Sequence, residues 1–339
     1  MRIAIVGAGV AGLSLGVMLK DHHDITIFEQ SNEPGGLCKS TRRGAWTWDT
    51  GPHILGGIPE AVEWIKSSTG VEFVEGTTNS RTYLGGPGYR PHPMESTSDV
   101  EKYMTKMWKV EPSTLNFEGL NAQKGRKPGG VSKFLYPKRG GYQSITDAWV
   151  KQLEGHIELN TTATTDVANH FDKVIWTGPQ YDQPYNTLIT VTACCWGYPP
   201  FLTALYLPYN DTPFHRLSFP AALSAFNAPS EGFIVQGEIT LNPNSQVEVE
   251  GLEDELKKLI ERLPGMYISN PYERIETQVF PYAYPVPVGG NEVDVSPIHL
   301  HGRTGTHSYL NTDGVVAQSM KLAGSLGIEV LPTQSTSQE

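Results

Sequence analysis

Residues 2–30, RIAIVGAGVAGLSLGVMLKDHHDITIFEQ, decide the fold. A short apolar run reaches Gly7, glycines follow at once, and VAGLSLGVMLKDH carries helical periodicity up to a second apolar run, DITIFEQ. Strand, tight turn, helix and strand in that order make a βαβ unit. GAGVAG at 7–12 has the form GxGxxG and lies at the strand-to-helix turn, the context that makes this pattern specific. Gly7 allows the turn, Gly9 lets backbone approach a pyrophosphate, and Gly12 lets helix and strand pack closely. Val10 and Ala11 open the helix, whose positive end receives the phosphates. Glu29, with Gln30 beside it, ends the second strand, where a carboxylate accepts hydrogen bonds from ribose hydroxyls. The expectation is a dinucleotide-binding site.

The full 339 residues suffice for a second domain or a large insertion. A hydrophobic fraction of 38%, a charged fraction of 18% and a mean hydropathy of −0.31 exclude a membrane-embedded protein, and no run approaches the roughly 18 apolar residues of a span. The net charge of −10 argues against a nucleic-acid scaffold, because phosphate neutralisation needs a basic face. Nucleic acid stays open only as a carrier of the substrate. Cys38, Cys194 and Cys195 give neither a disulfide framework nor a metal-ligand spacing, so no metal is expected. VTACCWG reads as a buried strand. Met1 runs straight into RIAIVGAG with no signal-peptide architecture, which makes the cytoplasm the expected compartment. No membrane partner is expected, and an oligomer is compatible with these numbers.

Further helices are predicted in PEAVEWIKSS, DVEKYMTKMW, SITDAWVKQLE, EDELKKLIERL and DGVVAQSMKLAG, and strands in HIELNTTAT, DKVIWTG, TLITVTACCW, GFIVQGEIT and YERIETQVF. Residues 84–141, rich in Gly, Pro and charge with one clear helix, read as an insertion rather than sheet. The expected organisation is a discontinuous dinucleotide-binding domain of residues 1–83, 137–182 and 296–330. A substrate or cap domain of residues 84–136 and 183–295 is inserted into it. The polar tail 331–339 reads as disordered.

After Glu29 the chain continues QSNEPGGLCKS, placing Gly35 and Gly36 a short loop beyond the ribose-binding acid, with Leu37 next. This resembles the second glycine signature of glutathione-reductase-type FAD enzymes, in their amine-oxidase branch, and implies non-covalent FAD rather than NAD as the resident cofactor, with NAD(P)H as a candidate external reductant. The implied fold is α/β, a Rossmann-type FAD domain with an inserted mixed α+β substrate domain. TGPHIL (50–55) resembles a motif of UDP-galactopyranose mutases, which implies that Gly51, Pro52, His53 and Ile54 lie at the isoalloxazine. YPKRGGYQSITDAW (136–149) is similar to a motif of that group and of protoporphyrinogen-oxidase-like enzymes. KVIWTGP (173–179) resembles the strand and turn that return to the FAD domain, bringing Thr177 and Gly178 to the cofactor. GRTGTHSYLNTDGVVAQSM (302–320) resembles the last mutase motif, which places Gly302, Arg303, Tyr309, Asn311, Thr312, Asp313 and Val315 near the flavin. Asp313 can cap a helix there, and the positive end of that helix favours a reduced flavin's negative charge.

The same resemblance assigns substrate contacts. YERIETQVFPYAYPVP (272–287) implies that Arg274 and Tyr284, with Arg303 and Tyr309, hold an anionic group such as a diphosphate, which suits arginine's planar fork. EKYMTKMWKVEPSTL keeps Tyr103, Lys106 and Trp108 in a Y-x-x-K-x-W spacing, with Trp108 as the candidate stacking residue. Arg216 lies in DTPFHRLSFPAALSAFNAPSEG (211–232), which is similar to amine-oxidase-like proteins more than to mutases. The chain departs from the mutase pattern at Leu55, Gly56 and Gly57 after the histidine, and its cap is short; Arg126 is the nearest counterpart of the mutases' mobile-loop arginine.

These readings leave three functions open, with His53, Arg303 and Tyr309 as the expected catalytic residues. The first is flavin-dependent oxidation or oxidative cleavage at a C–N bond of an amine or amino-acid-like group, on a small molecule or on a larger carrier. The second is a redox-neutral mutase of a nucleotide sugar. The third is a non-catalytic FAD-binding protein.

Overall fold

In the computed structural model, which describes residues 1–91, 94, 96–114, 132–243, 245–286 and 298–330, β1 (Arg2–Val6) leads through the glycine turn into α1 (Val10–Leu19) and back into β2 (Asp24–Phe28). The two strands pair in parallel, Ile3 against Ile25 and Ile5 against Ile27. α1 is buried along nearly its whole length, as a helix without a polar face must be. Gly12 makes that possible, since a Cβ there would stand 1.9 Å from the Gly7 carbonyl oxygen.

A hairpin follows, β3 (Ser40–Arg43) and β4 (Trp46–Asp49), then α2 (Pro59–Thr69), which starts with proline in its first turn and stops at left-handed Gly70. β5 (Phe73–Thr77), β6 (Ser80–Thr82) and β7 (Arg90–Pro91) precede α3 (Thr97–Trp108), whose N-cap Ser96 accepts from the Asp99 N–H. β8 (Lys133–Pro137), α4 (Gln143–Gln152), β9 (Ile157–Glu158) and β10 (Lys173–Trp176) return the chain to the first layer. The second layer is built from β11 (Tyr185–Tyr198), β12 (Ala204–Tyr206), β13 (Arg216–Ser218), β14 (Gly232–Leu241), α5 (Leu252–Arg262) and β15 (Tyr267–Pro285). β16 (Ile298–Leu300) and α6 (Thr312–Ser325) close the first.

Two sheets result. A five-stranded parallel sheet runs β16-β10-β1-β2-β9, and a seven-stranded sheet runs β15-β11-β14-β13-β12-β6-β7. The first packs Ile3, Ile5 and Ile27 against α1, α2, α4 and α6 through Leu13, Trp64, Trp149 and Leu322. On the second, Val191, Ala193, Cys195, Val235 and Ile239 meet Leu256, Leu259 and Ile260 of α5. Its opposite face is polar where β14 alternates Gln236, Glu238 and Thr240, all buried.

Three expectations shift. Ser80–Thr82, ahead of the boundary at residue 83, pairs with β12 in the second sheet. Within 84–141, expected outside any sheet, β8 pairs with β5. HIELNTTAT contracts to the two residues of β9, an edge strand with β2 as its partner. The tail 331–339 and Arg126 lie outside the described residues. Among the described residues no helix is long and apolar enough to cross a membrane.

Candidate active site

A cleft of about 500 Å³ runs from the glycine turn after β1 to the polar face of the second sheet. At its first end α1 begins at Gly9 with no side chain over its leading N–H groups, so that end can receive an anion. Gly36, at φ +58°, lies against it, and a Cβ there would come within 3.1 Å of the Gly9 Cα. Only two bare backbones fit side by side here. Glu29 accepts from the Ala8 N–H at 2.8 Å through one oxygen, and from the Ser31 N–H and hydroxyl at 2.9 and 2.7 Å through the other. Those bonds fix the carboxylate at the cleft wall and leave lone pairs for hydroxyl donors.

Past this end lie Gly51, Pro52, His53 and Ile54. The His53 ring is tilted on Tyr142 with centroids 5.0 Å apart. Burial pushes its imidazole down to about 3, with Arg303 and Arg216 adding to the effect, so the ring is neutral at pH 7. Its Nδ1 is buried and has no partner among the described residues. Tyr142 is itself held by Asp49, whose carboxylate accepts from the Tyr142 N–H at 2.8 Å, the Ser40 hydroxyl at 2.6 Å and the Tyr136 hydroxyl at 2.7 Å. The YPKRGGY motif thus clasps β4 and seats the histidine from below.

The glycines after His53 have a separate cause. Asp313 Oδ2 accepts the Ile58 N–H at 2.8 Å, and a Cβ on Gly57 would lie 2.3 Å from that oxygen. Asp313, expected to cap the helix it sits in, therefore serves the start of α2 instead, where Ile58 is the N-cap residue. α6 begins at Asn311 with no side chain capping it, and Asn311, Thr312 and Val315 line the cleft.

At the far end Arg216 Nε and Nη2 each donate to Glu238 at 2.7 Å, a bidentate pair across β13 and β14. Burial opposes the guanidinium charge, but Glu238, Tyr284 and Tyr103 outweigh it and keep Arg216 charged. Arg303 lies over the rings of Tyr284 and Tyr309, 5.0 and 4.8 Å from their centroids. Its Nη2 donates to the Ala283 carbonyl at 3.0 Å, while its Nε is buried without a partner among the described residues.

The cleft therefore brings together Gly7, Gly9, Val10, Ala11, Glu29, Gln30, Gly35, Gly36, Leu37, the segment 51–54, Thr177, Gly178, Arg216, Tyr284, Arg303, Tyr309, Asn311, Thr312 and Val315. It does not bring in five others. Gly12 and Gly302 serve close packing, Gly302 against the Ala11 side chain, and Asp313 ties helices together. Trp108, expected to stack on substrate, is buried behind the two tyrosines, its ring 5.9 Å from Tyr284 and 5.3 Å from Tyr309. Arg274 is exposed on β15, ten residues before Tyr284, roughly 30 Å along a strand, and cannot share an anion with Arg303. Sequence reasoning missed Asp49, Tyr142 and Glu238; a lone acid among alternating residues in FIVQGEIT is the signal that marks Glu238.

These residues fit an FAD. The open α1 N-terminus and the bare glycine pair suit a pyrophosphate, Glu29 suits a ribose, and the unpartnered His53 Nδ1 and Arg303 Nε await polar groups deeper in.

A family model described as an NAD(P)-binding Rossmann-like domain matches residues 5–66. The zeta-carotene-forming phytoene desaturase of Myxococcus xanthus is 36% identical over 100 residues, 29% of this chain, and the match spans only 18% of the desaturase's own length. Reduced UDP-galactopyranose mutase shares the fold with a TM-score of 0.80 at 18% identity, covering 96% of this chain and 94% of the mutase. Wild-type putrescine oxidase does so with a TM-score of 0.59 at 13% identity, covering 96% and 99%. A putative protoporphyrinogen oxidase from Exiguobacterium also shares the fold, with a TM-score of 0.64 at 13% identity, covering 96% of this chain and 98% of that one.

Proposed function

We propose that this protein binds FAD non-covalently and oxidises the C–N bond of an amine or amino-acid-like substrate that carries a carboxylate, free or attached to a larger molecule. One observation carries the reading. Among the described residues lining the cleft the charged groups are Glu29, at the ribose end, Arg216 and Arg303; Arg216 is matched by Glu238, which leaves Arg303 as the one unmatched cation at the substrate end. A single guanidinium between two tyrosine rings suits one carboxylate better than a diphosphate.

When bound, the flavin supplies the two-electron acceptor. Arg303 anchors the carboxylate, Tyr284 and Tyr309 exclude water from that contact, and neutral His53 offers a hydrogen bond without placing charge beside the amine. The substrate gives up a hydride from the carbon bearing nitrogen and a proton from the nitrogen; water then cleaves the imine to a carbonyl compound and the shorter amine. Dioxygen or another acceptor takes the two electrons away. A cytoplasmic setting belongs to the same proposal, and NAD(P)H enters only if a reductant is required.

A second reading is supported by the mutase's TM-score of 0.80 over nearly the whole chain: redox-neutral isomerisation of a nucleotide sugar. The desaturase reading has less support, because a hydrocarbon gains nothing from a cleft end built of Arg216, Arg303, Tyr284 and Tyr309. An anaerobic screen of amines and amino acids, followed by bleaching of the flavin absorbance, tests the proposal. Bleaching by carboxylate-bearing amines, with peroxide released in air, is expected. Arg303→Met should weaken the best of them by about 2 kcal/mol, roughly thirtyfold. Conversion of UDP-galactofuranose by dithionite-reduced protein, with no amine active, would establish the second reading instead.

A further inference from the structure

We propose that Glu238 sets the charge selectivity of the cleft: by neutralising Arg216 it shifts the preference of the site away from diphosphates and toward singly charged anionic groups. The inference rests on the reading of Arg303 as the anion-binding residue.

The geometry is that of a fixed charge filter. Glu238 occupies the middle of β14, in register with Thr190 on one side and Arg216 on the other. Its side chain is wholly buried, that of Arg216 is 16% exposed, and both carboxylate oxygens are committed to the guanidinium at 2.7 Å. The Tyr284 hydroxyl donates to the same carboxylate at 3.5 Å, so the ring that borders Arg303 also touches the neutralising acid. Gly51, one residue from the His53 segment's proline, keeps a potential Cβ 3.9 Å from Glu238 Oε2. The pair therefore lies directly under the part of the cleft that connects the histidine to Arg303.

A buried carboxylate does not add stability by itself, since desolvating two charges offsets most of their attraction. What it does is cancel a charge that would otherwise face the cleft. Arg216 keeps its remaining Nη1 donor for a neutral oxygen of a ligand, while attraction for a second negative charge is gone. Without Glu238 two guanidiniums would face the same space, an arrangement suited to adjacent phosphates.

The test uses FAD-loaded protein and two probes, acetate and inorganic pyrophosphate, with dissociation constants read by flavin absorbance perturbation and calorimetry. Glu238→Gln should raise the affinity for pyrophosphate relative to acetate by about tenfold or more, and the double variant Arg216→Gln/Glu238→Gln should return that ratio to within about threefold of the wild type. An unchanged ratio in Glu238→Gln overturns the proposal, as does failure of that single variant to bind pyrophosphate more tightly than the wild type does. Should Glu238→Gln not fold, the double variant decides alone: acetate binding weakened about tenfold would mean that Arg216 contributes net charge in the wild type, and the proposal falls. The wild-type preference between the probes tests the substrate class separately. A wild type that prefers pyrophosphate refutes the carboxylate reading, while the shift caused by Glu238→Gln still reports on Glu238.

Discussion

Asp313 accepts the Ile58 N–H at 2.8 Å, and through this bond the segment that follows His53 is tied to the helix whose first residues also line the cleft. The contact has room only because residue 57 has no side chain, the carboxylate oxygen standing 2.3 Å from where a Cβ would be.

Gly57→Ala should therefore cost about 1–3 kcal/mol, and Asp313→Ala about 1–2 kcal/mol through the lost cap. Once Asp313 is gone the added methyl has space, so the double variant should be more stable than the sum of the two losses by over about 0.5 kcal/mol. Urea unfolding of the four proteins measures this; strict additivity would show that the two residues do not meet.

Gly36→Ala should separate cofactor binding from folding. The substituted residue would be strained at φ +58° and its Cβ would press to within 3.1 Å of the Gly9 Cα, a stability cost of about 1 kcal/mol. Backbone access for the pyrophosphate is what it blocks, so FAD affinity should fall by roughly tenfold or more. Flavin absorbance retained after desalting gives the readout, and full retention would place the pyrophosphate elsewhere.

Acid should destabilise the protein in a defined window. Burial lowers His53 to about 3, His301 to about 4 and His215 well below its ordinary value of 6.5. With folded values depressed, the unfolded chain binds the extra protons: stability is complete above about pH 6.5 and is lost as pH falls toward 4 and 3. Asp49 has the opposite sign, because burial raises it to about 6 and the folded state holds its proton more tightly between 3.8 and 6. Three histidines against one aspartate leave a net loss on the order of 1–3 kcal/mol per pH unit near pH 5. Urea midpoints at several pH values should show that slope, reduced by roughly half in His301→Gln; a flat profile between pH 7 and 5 would contradict it.

How much of this was legible in the sequence depended on distance along the chain. β1, α1 and β2 were readable because their periodicity and turn glycines are local, and so was the β11 strand around Cys194 and Cys195. The Asp49–Tyr142 bond joins residues 93 apart, and nothing within either segment specifies the other. Arg216 was singled out without its acid, since the cross-strand register that pairs them appears only when β13 meets β14. Arg274 was misplaced for a related reason: the residue count to Tyr284 does not reveal that one long strand, irregular near Tyr282, carries the two apart.

The thiols offer a simple check on packing. Cys38, Cys194 and Cys195 are all buried, and burial pushes each thiol up to about 12. All should resist Ellman's reagent in the native protein and react together on unfolding. A thiol that reacts rapidly in the folded state would mean that its part of the core opens.

β16 follows the entire second layer in sequence yet pairs with β10 beside β1, and Arg303 comes just after it. The glycine turn after β1 is thus made nearly three hundred residues before Arg303, which shares its cleft. A nascent chain can therefore complete the glycine turn long before Arg303 arrives, so one wall of the cleft exists well before the other.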